Sequence, residues 1–502
     1  MAITISQQPD DICFSGNPII VKLQSDAANG VAFSGSLDRS RLLVPGKKLL
    51  FQFGDQTVEM TQTDKPNDTG TQFPVTQNGQ ILKASGFVPY FSANNTLNKY
   101  YIIEAKDDET MCFRARSTGT FYNWKPNTDL VVDKLGVDQK NNFKFLFEVF
   151  FRNAGDTDFK NVYTEELNQD SSFSGDLTLD ISSILDACLA NETPDSSVKP
   201  RLCVVSKGEY YCRFSEMSGI PPVPGKGIQT EVKHVIKGGL SHIGLKTKTL
   251  VNILQPSPAD ASRDAFLKQG GRTRPLKIDQ PEALFFVSLR ESVSQLRLKT
   301  VIDYTDQSTN PIVSSAIAVK KYDKIAFQIE KTPPLATKTP QQYSCFLIDQ
   351  ADNIVSEVIT YTIDNQPRDQ ARYFLYTSSF GGLDTLVTFG RGSEEYEITG
   401  QTVNKPQPLS YELYNGNRVT FDLRLQRTFT VATGWLDRRA FDLLSDFFLS
   451  EKKWIIKNST PLPITVTNKK AGEYHDLSPL IAQSFEYRLD FEDDYYTEGD
   501  AL

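Results

Sequence analysis

The stretch RYFLYTSSFGGLDTLVTFG, Arg372 to Gly390, sets two aromatic, β-prone runs on either side of a glycine pair. Gly381 and Gly382 can take the positive φ angles that a tight reversal or bulge needs, and Ser378 and Ser379 add turn polarity. Asp384 and Thr385 then open the next run, where an aspartate can bond the amides of its own turn. A reactive Asp384 or Thr385 would need a base, an orienting partner and donors for developing charge. None stands nearby in the sequence, and glycine pairs between apolar runs are turn punctuation. The stretch reads as strand, turn, strand, with Gly381, Gly382 and Asp384 as structural residues.

The same rhythm continues outward from it. DLTLDIS places Leu177, Leu179 and Ile181 on one face, and FEYRLDF does the same with Phe485, Tyr487, Leu489 and Phe491. FKFLFEVFF, Phe143 to Phe151, is apolar enough for a strand covered on both sides. Reversals are expected at Gly54-Asp55, at Asp107-Asp108 and at Asn415-Gly416, the last being the strongest short hairpin dipeptide. Helical spacing is sparse. Its best case is about residues 437–454, where Phe441, Leu444, Phe447 and Phe448 share a face and Asp437 is placed to cap it. Many strands, frequent turns and few helices predict an all-β, multi-domain chain of serial β-sandwiches or barrels, immunoglobulin- or fibronectin-like in the middle, with a few short helices.

A length of 502 residues suits roughly three to five domains of about 100–200 residues. The expected division is 1–135, 136–227, an extended arm or linker at 228–281, 282–366 and 367–502. GIPPVPGKG, Gly219 to Gly227, is the Pro/Gly connector that opens the arm. From Lys226 to Lys277 there are ten Lys and Arg against Glu231, Asp260 and Asp264. Lys237, Lys246, Lys248, Arg272 and Arg274 are therefore the candidate assembly residues of that arm. The closing DFEDDYYTEGD is acidic, and such asymmetry suits contact between copies.

The formal net charge of −8 argues against nucleic acid as the main partner. Six scattered cysteines without a C-x-x-C pair read as reduced thiols, and three histidines leave little for a His-rich metal centre. No cofactor or metal is expected. The first residues lack the pattern of a signal peptide, and no run approaches the ~18 apolar residues of a membrane helix. GIPPVPGK is a poor phosphate loop, because three prolines cannot donate amides and no Ser or Thr follows Lys226. The acidic pairs Glu165-Glu166, Glu394-Glu395 and Asp493-Asp494 lack calcium-loop spacing. Trp124, in GTFYNWKP, is the candidate for stacking on a sugar.

The order of segments carries a resemblance. FSGNPIIVKLQSD opens the chain, an apolar strand leads to GDLTLDISSIL, and RYFLYTSSFGGLDTLVTFG follows. TGWLDRRAFDLLSDFFLSEKKWII and FEYRLDFEDDYY close it. This resembles tail structural proteins of phages and prophages of Bacteroidetes bacteria, of the tail-tip, baseplate or distal-tail kind. The resemblance implies a non-enzymatic virion protein assembled in the bacterial cytoplasm, forming a ring of identical copies beside other tail proteins. Two other readings are weighed against it. One is a carbohydrate-binding adhesin or fibre that contacts a host surface glycan through Trp124. The other is a β-rich glycoside hydrolase.

Overall fold

The computed structural model describes residues 3–24, 32–44, 46–64, 66, 70–77, 80–125, 129–136, 142–168, 176–195, 199–255, 263–331, 338–366, 370–468, 481–492 and 495. The chain is all-β and multi-domain, built from several separate sheets with only short helices among the described residues. Most of the acidic C-terminal stretch, including Asp493-Asp494, lies outside those residues.

The first module closes over Phe33, Phe51, Phe53, Phe87, Phe91 and Phe113. One sheet joins Tyr101–Ala105, Thr110–Thr118, Ala32–Asp38 and Val131–Lys134. The facing sheet contains Lys48–Phe53 and Gln56–Gln62, reversing at Gly54 with φ +52°. The reversal around Asp107-Asp108 joins Tyr101–Ala105 to Thr110–Thr118. Trp124 belongs to this core. It is 4% exposed, with ring centroids 4.9 Å from Phe33, 5.2 Å from Phe113 and 5.6 Å from Phe51. The expectation of a sugar platform at Trp124 is corrected: its faces are covered by other rings.

The expected 1–135 domain also needs correction. Thr4–Gln7 and Asp176–Asp180 flank Ile20–Gln24 in one sheet, while Ile12–Phe14 runs parallel to Lys233–Ile236 in another. The first 24 residues therefore belong to the second module, and the first module is inserted between Ile20–Gln24 and Lys144–Asn153. Short alternating strands reveal which face is apolar but not which distant edge they will join. Lys144–Asn153 does lie inside its sheet, between Lys160–Asn168 and Lys207–Ser218. Phe145, Phe147, Val149 and Phe151 pack there with Ile19, Val21, Leu23, Tyr210 and Phe214.

The described part of 228–281 is folded into the body rather than extended. Ile228–Gln229 and Lys233–Ile236 pair with Lys207–Ser218, and Thr273–Leu276 runs parallel to Ile359–Ile363. The short helix Leu250–Leu254 buries both of its terminal leucines. Part of the segment's basic excess is met by acids from elsewhere: Lys237 by Asp186 at 2.8 Å, Arg272 by Glu357 at 2.9 Å, and Lys277 by Asp364 at 3.2 Å. Counting charge along the sequence could not show this, because the neutralising carboxylates are far away in the chain. Residues 256–262 of the expected arm lie outside the described residues.

The third module packs Ala283–Val287, Gln295–Tyr304, Lys324–Gln328, Pro340–Ile348 and Ile359–Ile363 around Leu296, Leu298, Ile302, Ile325, Tyr343 and Tyr361. It borrows Arg201–Leu202 as an extra strand beside Lys324–Gln328. Its limits thus differ from the expected 282–366.

The last module is one seven-stranded antiparallel sheet. Its order is Leu383–Thr388, Arg372–Thr377, Lys453–Lys457, Thr460–Val466, Ile481–Leu489, Arg418–Leu436 and Gly392–Asn404. The helix Arg438–Leu449 covers it, with Phe447 seated against Phe374, Tyr376 and Phe485. Asp437 caps the helix by accepting from the Ala440 amide at 2.7 Å. Asn415-Gly416 does not make the expected two-residue hairpin. Strand pairing ends at Asn404 opposite Arg418, and the dipeptide lies in the 405–417 connection. Pro406 and Pro408 have no amide hydrogen, so they cannot extend the ladder toward it.

Candidate functional site

The glycine turn is where the last module meets the rest of the chain. Gly381 N–H donates to Ser378 O and Ser378 N–H to Gly382 O, each at 2.8 Å, and Gly381 has φ +79°. A Cβ on Gly381 would lie 1.8 Å from Lys237 O, and one on Gly382 would lie 2.9 Å from the Phe285 ring. Buried Lys324 donates through Nζ to Gly381 O at 2.6 Å and to Ser206 Oγ at 2.7 Å. Burial pushes the Lys324 ammonium below its ordinary range. The Gly239 amide donates to Ser379 O at 2.7 Å, and Asp446 Oδ1 accepts from the Ser379 amide and hydroxyl. Leu383 then packs with Phe14, Ile236, Phe285 and Val287, residues drawn from three parts of the chain. The turn's function is to fasten modules.

Asp384, next along, is 5% exposed and lies in an ion network. Lys268 Nζ is 3.0 Å from its Oδ1, and Arg274 Nη1 reaches both oxygens at 3.3 Å. Lys268 also pairs with Glu282, which accepts from the Tyr361 hydroxyl at 3.1 Å. Burial alone would raise the Asp384 pKa, but Lys268 and Arg274 outweigh it and hold the carboxyl below its usual range. The network borders a cavity of about 510 Å³ whose wall includes Arg274, Lys277, Tyr361, Tyr376 and Phe447. Two carboxylates beside a cavity invite a glycosidase reading, which needs one of them to hold a proton near neutral pH. Both are engaged as ion-pair partners: Asp384 has cations on both oxygens, and Glu282 is paired with Lys268. The Thr385 hydroxyl donates to Pro281 O at 2.7 Å, so it is engaged with backbone rather than with a base. This arrangement is a charge-balanced lock between the 268–282 segment and the glycine turn.

The expected assembly residues separate in space. Lys237, Arg272 and Arg274 are engaged in the ion pairs above, whereas Lys246 and Lys248 are exposed at the end of the short helix His242–Thr247. Gly416 is in an open loop, where a Cβ would meet nothing closer than 4.0 Å. Among the described residues no group of three or more His, Cys, Asp or Glu could hold a metal ion, and no helix is long and apolar enough to cross a membrane.

The most distinctive surface is one that sequence reasoning missed. Gly392–Asn404 is exposed along its whole length and pairs only with Arg418–Leu436 among the described strands. Ile481–Leu489 accompanies the returning strand no further than Thr428. Beyond that point the two strands project as a free ribbon, roughly 30 Å long at about 3.4 Å per residue. Ile398 lies opposite Leu425 and Tyr396 opposite Arg427 on one face. Phe421, Leu423 and Val403 are also exposed, and the tip presents Leu413 at 92% and Tyr414 at 84% exposure. An isolated two-stranded ribbon is marginal in water, and contiguous exposed apolar surface marks an interaction site. In TVNKPQPLSYELYNGNRVTFDLRL the apolar residues alternate as in any hairpin, so the sequence carries no mark that this one is left uncovered.

Comparison with known proteins adds no function. The sequence matches no family model, and none of the curated proteins is significantly similar to it. Among solved structures, a biofilm-associated protein BSP domain matches at 9% identity over 86% of this chain and 93% of that one, with a TM-score of 0.15. The exo-β-D-glucosaminidase CsxA matches at 12% identity over 41% of this chain, with a TM-score of 0.13. The latter match spans only 22% of the glucosaminidase chain, and scores this low carry neither fold nor activity.

Proposed function

We propose that the chain is a non-enzymatic virion structural protein, part of a phage tail tip or baseplate, built by homo-oligomeric ring assembly and put together in the bacterial cytoplasm. The observation that carries this reading is the projecting ribbon 396–427, whose outer edges pair with no other described strand and whose side chains Ile398, Leu413 and Leu423 are exposed. The order of segments supports the tail assignment, and the fastened modules suit a rigid building block. The carboxylates nearest a cavity serve as ion-pair partners, which fits a part that does no chemistry.

Electron microscopy of the purified protein tests the reading. Closed rings, or the protein in place at one end of a tail-like particle, are expected. A dispersed monomer at high concentration that hydrolyses a glycan would overturn it. The exposed Tyr411 and Tyr414 at the ribbon tip favour one second reading, contact with a host surface glycan. Glycan binding abolished by Tyr414→Ala, in a protein that stays monomeric, would select that reading instead.

A further inference from the structure

We propose that the ribbon joins copies through opposed edge charges, with the outgoing strand of one copy lying along the returning strand of the next. The proposal rests on the assembly reading above and gives it a direction. Gly392–Asn404 carries Glu394, Glu395 and Glu397 and no Lys or Arg. The unaccompanied part of the returning strand, Arg418 to Arg427, carries Arg418, Arg424 and Arg427 against Asp422. One ribbon therefore has an acidic edge and a basic edge. Among the described residues neither outer edge has a strand partner, and an open edge of amides and carbonyls recruits another strand.

Charge decides which strand it recruits. A two-fold contact would place glutamates beside glutamates, or arginines beside arginines, and like charges across a strand pair repel. Pairing the outgoing strand with a neighbour's returning strand sets acid beside base. Ribbons that point the same way make this pairing antiparallel, continuing the alternation within each ribbon. The contact is heterologous, so the same operation repeats from copy to copy and closes where the rotation permits. Each junction also lengthens the apolar face that starts with Tyr396, Ile398 and Leu425. Within one chain Arg424 pairs with Asp422 and Glu492, and Glu397 with Arg488, at solvent-accessible side chains, while Arg427 lies over the Tyr396 ring. Exposed pairs of this kind are weak enough to exchange.

Two charge-reversed full-length chains test the proposal by sedimentation. One carries Glu394→Lys, Glu395→Lys and Glu397→Lys; the other carries Arg418→Glu, Arg424→Glu and Arg427→Glu. Each alone should associate at least roughly tenfold more weakly than wild type, since like charges then face each other. An equimolar mixture should recover association at wild-type strength, because each variant supplies the edge that the other needs in alternation. Failure of the mixture to recover, or variants that assemble like wild type, would overturn the edge pairing while leaving the assembly reading in place. A wild-type chain that stays monomeric would overturn both. Should a variant fail to fold, the salt dependence of wild-type association decides. Association should weaken severalfold between about 0.1 and about 1 M salt, where the screening length falls from about 10 to about 3 Å. Salt-independent association would contradict the proposal.

Discussion

At Gly381 one added methyl group would lie 1.8 Å from the Lys237 carbonyl oxygen, in a backbone conformation that side chains rarely adopt. Gly381→Ala should therefore cost about 2–4 kcal/mol in urea unfolding, while Gly416→Ala, in open space, should change stability by less than about 0.5 kcal/mol. Equal effects would show that the turn is not a junction. Asp384→Asn should cost about 3–5 kcal/mol, because it leaves Lys268 and Arg274 buried beside a neutral amide. A neutral result would remove the ion lock. His234 provides the pH dependence. Burial, with Lys207 next, lowers its pKa from 6.5 to about 4, so the unfolded chain binds the extra proton between those values. Stability is present above pH 6.5 and is lost as pH falls toward 4. His234→Gln should flatten that part of the curve, and an unchanged slope would assign it to other groups. The turn residues were legible in the sequence because glycine pairing is local chemistry. Their partners were not, since Lys237, Lys324 and Asp446 approach only through the fold.

Elements were legible to the extent that one face decides them. The helix expected near 437–454 runs Arg438–Leu449 with Asp437 at its cap, since its apolar spacing and capping residue are contiguous in the chain. FKFLFEVFF became an interior strand for the same reason. Asn415-Gly416 misled because two prolines upstream stop the ladder before the dipeptide can close it. The expected arm misled because several of its cations, Lys237, Arg272 and Lys277, are matched by carboxylates distant in sequence, while the free ribbon has the alternation of an ordinary hairpin. Within the ribbon, hydrogen exchange should separate two zones. Amides at 418–426 should exchange much faster in the monomer than those at 428–431, which lie between two strands. Uniform protection in a monomer would mean that the ribbon is covered by its own chain.

For the whole molecule, the inserted first module, the strand borrowed by the third and the glycine turn make a body fastened at several distant points. The ribbon adds nothing to that body's cores: Phe374, Val431, Phe447, Phe485 and Tyr487 all lie outside its free part. Fold class could be read from period-two patterning, but the insertion of one module into another could not. The strands of the first 24 residues pair by long-range register that no local pattern encodes. On the proposed reading the ribbon exists for assembly while the body stands without it. Sedimentation of wild type beside a chain whose residues 396–425 are replaced by a short Gly/Ser turn tests it most directly. Discrete oligomers are expected for wild type, and a monomer of unchanged melting temperature for the shortened chain. The same oligomer from both chains, or a wild-type protein that remains monomeric at high concentration, would contradict it.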